Sequence, residues 1–298
     1  ICAAVLFLAI LLSTKKKLKK KNFTPFRRPF LLAIAFAIYF SCLGQNRQNK
    51  QVLLTTSFGT LKIALYPETP RHRDNFYKLV STCFYDSTLF HRVIPGFMVQ
   101  GGDPGSKAAV AGQMLGNGDI GYKIPAEIKP AYFHKKGALA AARDNNPDKS
   151  SSGCQFYIVA GTVYTDSMLN LMEANKNALL KQQIFIAFIN QKENVGLKNT
   201  FISLQKRGNR DSLQLLSKTI EPLVDTVFAK MPHFKFSEPQ RKAYTTIGGA
   251  PHLDGDYTVF GEVTEGLDVI DKLTMVKKDE HDRPLQDIRM QITPLKNP

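Results

Sequence analysis

Organised cysteine is missing from this 298-residue chain. Cys2, Cys42, Cys83 and Cys154 stand far apart, with no C-x-x-C pair and no Cys/His spacing. A thiol-ligated metal centre, a dithiol redox pair and a disulfide framework are therefore excluded as organising features, and no metal or cofactor is expected. Long apolar runs are missing too. The opening stretch ICAAVLFLAILL is short of the roughly 20 residues a helix needs to cross a bilayer. No segment repeats. Acidic residues are absent from positions 1–41, which carry eight Lys or Arg, and are scarce over 164–243, where twelve basic residues face seven acidic ones. The rest of the chain is nearly balanced, so the net charge of +15 belongs to a leader and a helical surface. Such a distribution does not make a phosphate-tracking groove, and no nucleic-acid partner is expected.

What is present begins with a three-part leader. A cationic block from Lys15 to Arg28 precedes an apolar run from Phe30 to Phe40, and Ser41 stands before Cys42. This is the form of a secretory signal. The small residue followed by cysteine resembles the bacterial lipobox, although Tyr39 occupies the place where leucine is preferred. The resemblance implies lipidation at Cys42, with an uncleaved membrane anchor as the alternative, and either way export and a body held on the cell envelope at its N-terminus. Residues 1–41 are thus read as leader and 42–50 as a polar tether. The folded body starts at Gln51.

From there the pattern is that of short strands. VLLTT and TLKIALY flank a turn at Ser57-Phe58-Gly59, and LFHRVI, FMVQGG, GALAAA, QFYIVA and YTVFGEV each end at Gly, Pro, Asn or Asp. Pro70 opens a helix whose Phe76, Leu79 and Val80 share a face, and Gly266–Met275 reads as a second helix. A last strand is expected at Ile288–Ile292. The spacing suits a closed antiparallel barrel or a sandwich.

Between Tyr164 and Ala243 the period changes. Met168, Leu171, Met172, Ala178, Leu179, Phe185, Ile186 and Ile189 recur at steps of three and four, with Asp166 as the expected N-cap. A second amphipathic stretch runs from Leu213 to Val227, and Ser237 with Gln240 forms a capping-box pattern. Residues 165–243 are therefore expected to be a helical insertion dividing a β domain into 51–164 and 244–298.

The segment Phe90–Asp103, FHRVIPGFMVQGGD, resembles the signature of the cyclophilins, and GALAAA, SSGCQFYIVAG and PHLDGDYTVFGEVTEGLDVIDKL resemble the family's later blocks in order. The resemblance covers 52–164 and 244–292. It implies a mainly β fold, a closed eight-stranded antiparallel barrel capped by two helices, and peptidyl-prolyl cis/trans isomerase activity on proline-containing unfolded or flexible polypeptides. By position, Arg92 resembles the family's catalytic arginine, with Gln100 beside it. Phe97 and Met98 resemble the floor of the proline pocket, Tyr157 stands at the place of a phenylalanine, and Leu253 forms the opposite wall. Gln100 and Gln155 resemble the glutamines that fix the arginine and the substrate backbone. Ala142 and Arg143 occupy the strand that pairs with the residue before proline. His252 and Tyr257 stand at the rim, replacing tryptophan and histidine, and Arg143 replaces asparagine. His91 is read as structural, because the reaction transfers no proton.

Two other classes remain open at this level: a cyclophilin-shaped chaperone whose insertion grips unfolded chains, and a purely structural envelope protein. The state of assembly is not legible, with a monomer as the default.

Overall fold

The computed structural model describes residues 50–295. The leader, most of the tether and Cys42 lie outside the described residues. Strands β1 (Gln51–Thr56) and β2 (Gly59–Leu65) form a hairpin in which Leu54 faces Leu61 and Val52 faces Ile63. All four are fully buried, as strict alternation demands of a strand with one face in a core. Strands β3 (Phe90–Ile94), β4 (Met98–Gly101), β6 (Ala138–Ala141), β8 (Phe156–Val159), β9 (Val259–Glu265) and β10 (Gln291–Leu295) join them. They make one eight-stranded sheet in the order β10-β1-β2-β9-β6-β8-β4-β3. A separate two-stranded ribbon pairs β5 (Lys123–Ile124) with β7 (Ser151–Ser152).

Helix α1 (Pro70–Ser81) packs Phe76, Leu79 and Val80 into the sheet's inner face. A helix at Leu267–Thr274 adds Val269, Ile270 and Leu273. In that second helix Val269 takes the buried place, while Leu267 is more than a third exposed.

The expected barrel is met in its coarser form only, for the sheet is open and ends at β3 and β10. The residues just before β10 reach toward the other edge, with Phe90 N–H donating to Ile288 O at 3.0 Å and Met290 N–H to Thr88 O at 2.9 Å. The last strand begins at Gln291, three residues later than expected, because Ile288–Met290 make that edge contact instead of lying in the ladder. Ala142 and Arg143 fall just beyond β6, in the loop that follows it and not in a strand.

Four helices fill the middle of the chain: α2 (Asp166–Ile189), α3 (Val195–Lys206), α4 (Arg210–Ala229) and α5 (Glu238–Thr246). The helix at Leu267–Thr274 is accordingly α6. The capping box at Ser237 and Gln240 is formed as read. The N-cap of α2 is Thr165, whose hydroxyl accepts from Met168 N–H, and Asp166 is its first helical residue. The burial expected along α2 is displaced as well. Leu169 and Ile189 are buried, whereas Leu171 and Leu179 are 62% and 59% exposed. The cause is that α2 meets two neighbours at two ends, with Phe236 and Tyr244 around Leu169, and Ile220 and Val224 of α4 around Ile189.

This helical segment is stitched to the sheet at Thr162 and Gly249, which exchange backbone hydrogen bonds of 3.0 Å. Gly161 makes the approach possible. Its φ of +69° is left-handed, and a Cβ there would stand 2.5 Å from Gly249 Cα. Gly161→Ala is expected to cost at least about 1 kcal/mol, read as a lower urea midpoint at an unchanged m-value.

Candidate active site

Two strands depart furthest from simple alternation, and the site follows from that. β6 and β8 are buried at every residue. Their inner side chains, Leu139, Ala141, Phe156 and Ile158, belong to the main core. Ala138, Ala140, Tyr157 and Val159 point the other way, into a second cluster with Met98, Ala250 and Val259. Neighbouring strands extend this outer face by the same two-residue period. Val93 and Val99 go inward, so Arg92, Met98 and Gln100 go outward.

Register then sets Arg92 opposite Gln100 across β3 and β4, Gln100 opposite Tyr157 across β4 and β8, and Tyr157 opposite Ala140 across β8 and β6. A guanidinium, a carboxamide and an aromatic ring thus stand in one row across the sheet.

A cleft of about 120 Å³ opens above the row, lined by Arg92, Phe97, Met98, Gln100, Ala142, Arg143, Tyr157, Leu253 and Tyr257. Its far wall comes from the 3-10 turn Pro251–Leu253 and from Tyr257, which meets the Tyr157 ring edge-on at 5.9 Å. Nine of the eleven residues expected in the folded body's site therefore share one cavity. Gln155 and His252 do not line it. His252 tilts against the Phe97 ring at 5.2 Å, and desolvation of the part of the ring that packs there lowers its pKa, although the residue as a whole is exposed. None of the cleft's walls comes from 165–243.

The polar contacts differ from expectation in one respect. Gln100 does not bond Arg92; its amide donates to Gln155 Oε1 at 3.1 Å. Gln155 donates in turn to the carbonyls of Gly116 and Gly118, at 2.8 Å each. The glutamines thus brace each other and the loop beyond. Arg92 has a looser tie, Nε lying 3.8 Å from Asp282 Oδ2 with its side chain 44% exposed. The reason is distance along the strand pair: Arg92 sits on the edge strand β3, beside the segment that carries Asp282, while Gln100 leans toward β8. Arg143 is held by carbonyls of Asp256 and Asp144, and its guanidinium lies over the Tyr257 ring at 4.6 Å. Ala142 uses both its backbone groups, N–H to Gln155 O and carbonyl from Ser152 N–H.

Sequence reasoning missed the support beneath Tyr157. Its hydroxyl meets His134 Nε2 at 3.0 Å, and His134 Nδ1 meets Asp254 Oδ1 at 2.8 Å. A signal was available: a tyrosine in a buried aromatic position needs a partner for its hydroxyl. His91 is also buried, with neither ring nitrogen hydrogen-bonded. Burial drives its pKa from the usual 6.5 down to about 4, against the pull of Asp103 and helped by Arg92. It is a neutral packing residue.

Residues 51–178 and 242–294 match the family model described as cyclophilin type peptidyl-prolyl cis-trans isomerase/CLD. A putative peptidyl-prolyl cis-trans isomerase of Staphylococcus saprophyticus is 26% identical over 244 residues, covering 82% of this chain and 90% of that protein. A putative bifunctional phosphatase/peptidyl-prolyl cis-trans isomerase of Streptococcus pyogenes is 25% identical over 247 residues; the chain spans 38% of its length. A solved cyclophilin type peptidyl-prolyl cis-trans isomerase of Cryptosporidium parvum aligns with a TM-score of 0.46 at 19% identity, over 84% of this chain and all of that one.

His91 generates a pH prediction. Its folded pKa lies below the unfolded value, so the unfolded chain binds the extra proton and acid destabilises the fold. Stability present above pH 6.5 is lost as pH falls toward 4, by up to about 3 kcal/mol for a shift of this size. Urea midpoints measured across that window should fall more steeply for the wild type than for His91→Gln; parallel curves would contradict it.

Proposed function

The chain belongs to the cyclophilin-type peptidyl-prolyl cis-trans isomerase family, and on that footing we propose that it accelerates rotation about X-Pro bonds, with Arg92 beside an apolar seat for the proline ring. Amide resonance sets a barrier of about 18–20 kcal/mol, and rotation breaks no bond. A catalyst need only hold the twisted amide better than either planar isomer. In that twisted state the proline nitrogen keeps a localised lone pair, for which a cation is the natural partner.

The observation that carries this reading is the row across β3, β4 and β8, which stands Arg92 at one end of an apolar floor made by Phe97, Met98 and Tyr157. Leu253 and Tyr257 close the far side around the ring. Gln100, its amide N–H held by Gln155, offers its carbonyl oxygen as the acceptor for a substrate N–H. Since the Ala142 N–H is already spent on Gln155 O, pairing with the residue before proline falls to Arg143.

Replacing one aimed donor in such a site lowers turnover by about 100-fold, or about 2.7 kcal/mol. Arg92→Ala should therefore lower kcat/KM for a proline-containing tetrapeptide by about that factor in a protease-coupled assay, with the melting temperature retained. Equal turnover would favour the chaperone or structural readings.

The clients proposed are flexible segments of exported polypeptides, with the body held at the cell envelope through a lipid on Cys42. This rests on the leader's three-part pattern. Among the described residues no helix is long and apolar enough to cross a membrane. When the whole chain is expressed in a bacterium, Cys42→Ser is expected to move it from the membrane fraction to the soluble one; an unchanged distribution would mean that the leader itself is the anchor.

A further inference from the structure

Tyr157 is 4% exposed, so its hydroxyl has no access to water as a partner. One arrangement of protons, that with a neutral His134 ring, satisfies every polar group around it. Asp254 Oδ1 receives both the backbone N–H of His134, at 3.0 Å, and ring nitrogen Nδ1, at 2.8 Å. A carboxylate only accepts, so Nδ1 carries the proton. In the neutral ring Nε2 is then an acceptor, and the Tyr157 hydroxyl donates to it at 3.0 Å. The other oxygen, Oδ2, receives the Tyr244 hydroxyl at 2.5 Å and the Gln240 amide at 3.2 Å. Every polar group in this line has a partner, and His134, Asp254 and Tyr244 are all buried.

The two ends of the line belong to different parts of the molecule. Tyr157 is the floor of the cleft, whereas Tyr244 and Gln240 lie on α5, the last helix before the chain returns to the sheet. α5 is in turn tied to α2: Arg241 reaches Asp166 at 3.0 Å, Asn170 at 2.6 Å and Glu173 at 2.9 Å. Asp254, in the middle, also follows directly on Leu253. It thus holds the floor through His134 and the far wall through its own chain, while its carbonyl receives Lys176 Nζ of α2 at 3.4 Å.

We propose that Tyr157, His134, Asp254 and Tyr244 act as one hydrogen-bonded unit through which the helical segment sets the spacing between floor and wall of the proline seat. His134, Asp254 and Tyr244 are then positioning residues, and the helices act on the reaction without touching the substrate. The inference rests on the isomerase reading given above.

The test is a double-mutant cycle on the full chain, using Tyr157→Phe, Tyr244→Phe and the pair. kcat, KM and melting temperature are measured with a proline-containing tetrapeptide, and binding of the same peptide is followed by the NMR shifts of Phe97 and Met98. Tyr244→Phe is expected to change kcat/KM by about threefold or more, and that change should shrink or vanish in the Tyr157→Phe background, because coupled sites are non-additive. Gln240→Ala, a milder cut at the same carboxylate oxygen, should act in the same direction by a smaller factor. A melting temperature lowered with kcat and KM unchanged, or the same factor in both backgrounds, would reduce the line to structural packing and overturn the proposal. Peptide binding without turnover in the wild type would instead overturn the isomerase reading, and the cycle would then be decided on the binding shifts; a wild type that neither binds nor turns over would sink both.

Discussion

The structure depends on β6 and β8 being buried on both faces. A strand with one wet face would offer only a solvated row of side chains. Here the inner face completes the core with Phe156 and Ile158, and the outer face carries Tyr157 into a second, smaller apolar cluster. The second cluster exists because Ala138 and Ala140 are small enough for the turn at Pro251–Leu253 and the Tyr257 ring to close over them. The cleft is what remains uncovered at its edge. Its precision comes from backbone registry, since a slip of one residue along β4 would send Met98 and Gln100 into the core and Val99 into the cleft.

Much of this was legible in advance. The alternation of β1 and β2, the proline-opened helix α1 and the continuous apolar runs of β6 and β8 each reflect local chemistry that tertiary packing did not override. The cleft residues were legible because the Phe90–Asp103 segment and the later blocks preserve a family pattern, not because any of them stands out alone. Relations between side chains were less visible. Nothing in the order of residues says that Gln100 would turn to Gln155 and leave Arg92 to Asp282, since that choice depends on which strand lies on each side. The buried face of α2 was misplaced for a similar reason: a helix sandwiched between different neighbours at its two ends has no single stripe to read.

The helical segment shows how a departure in one place is absorbed in another. Tyrosine at 157 brings a hydroxyl into a region where a phenyl ring would ask for nothing. His134 accepts from it, Asp254 fixes the tautomer, and α5 satisfies the remaining oxygen. A half-satisfied network of this kind would cost more than an apolar core, so its completeness depends on the extra helices staying docked against the sheet. Gly161 and Gly249 make the same connection on the backbone, by letting two strands of chain pass where any side chain would collide.

One further consequence lies in the saturated backbone of Ala142. Most modules that receive an extended peptide offer it a long free strand edge, and gain affinity from each added rung. Here the rung at Ala142 is already occupied from both sides, so on the proposed reading an arriving chain has a single short foothold at Arg143. For a protein whose clients must depart after one half-turn about a single bond, a shallow hold serves throughput better than a deep one, because whatever clasps the flat amide before and after the twist slows the cycle without lowering its summit.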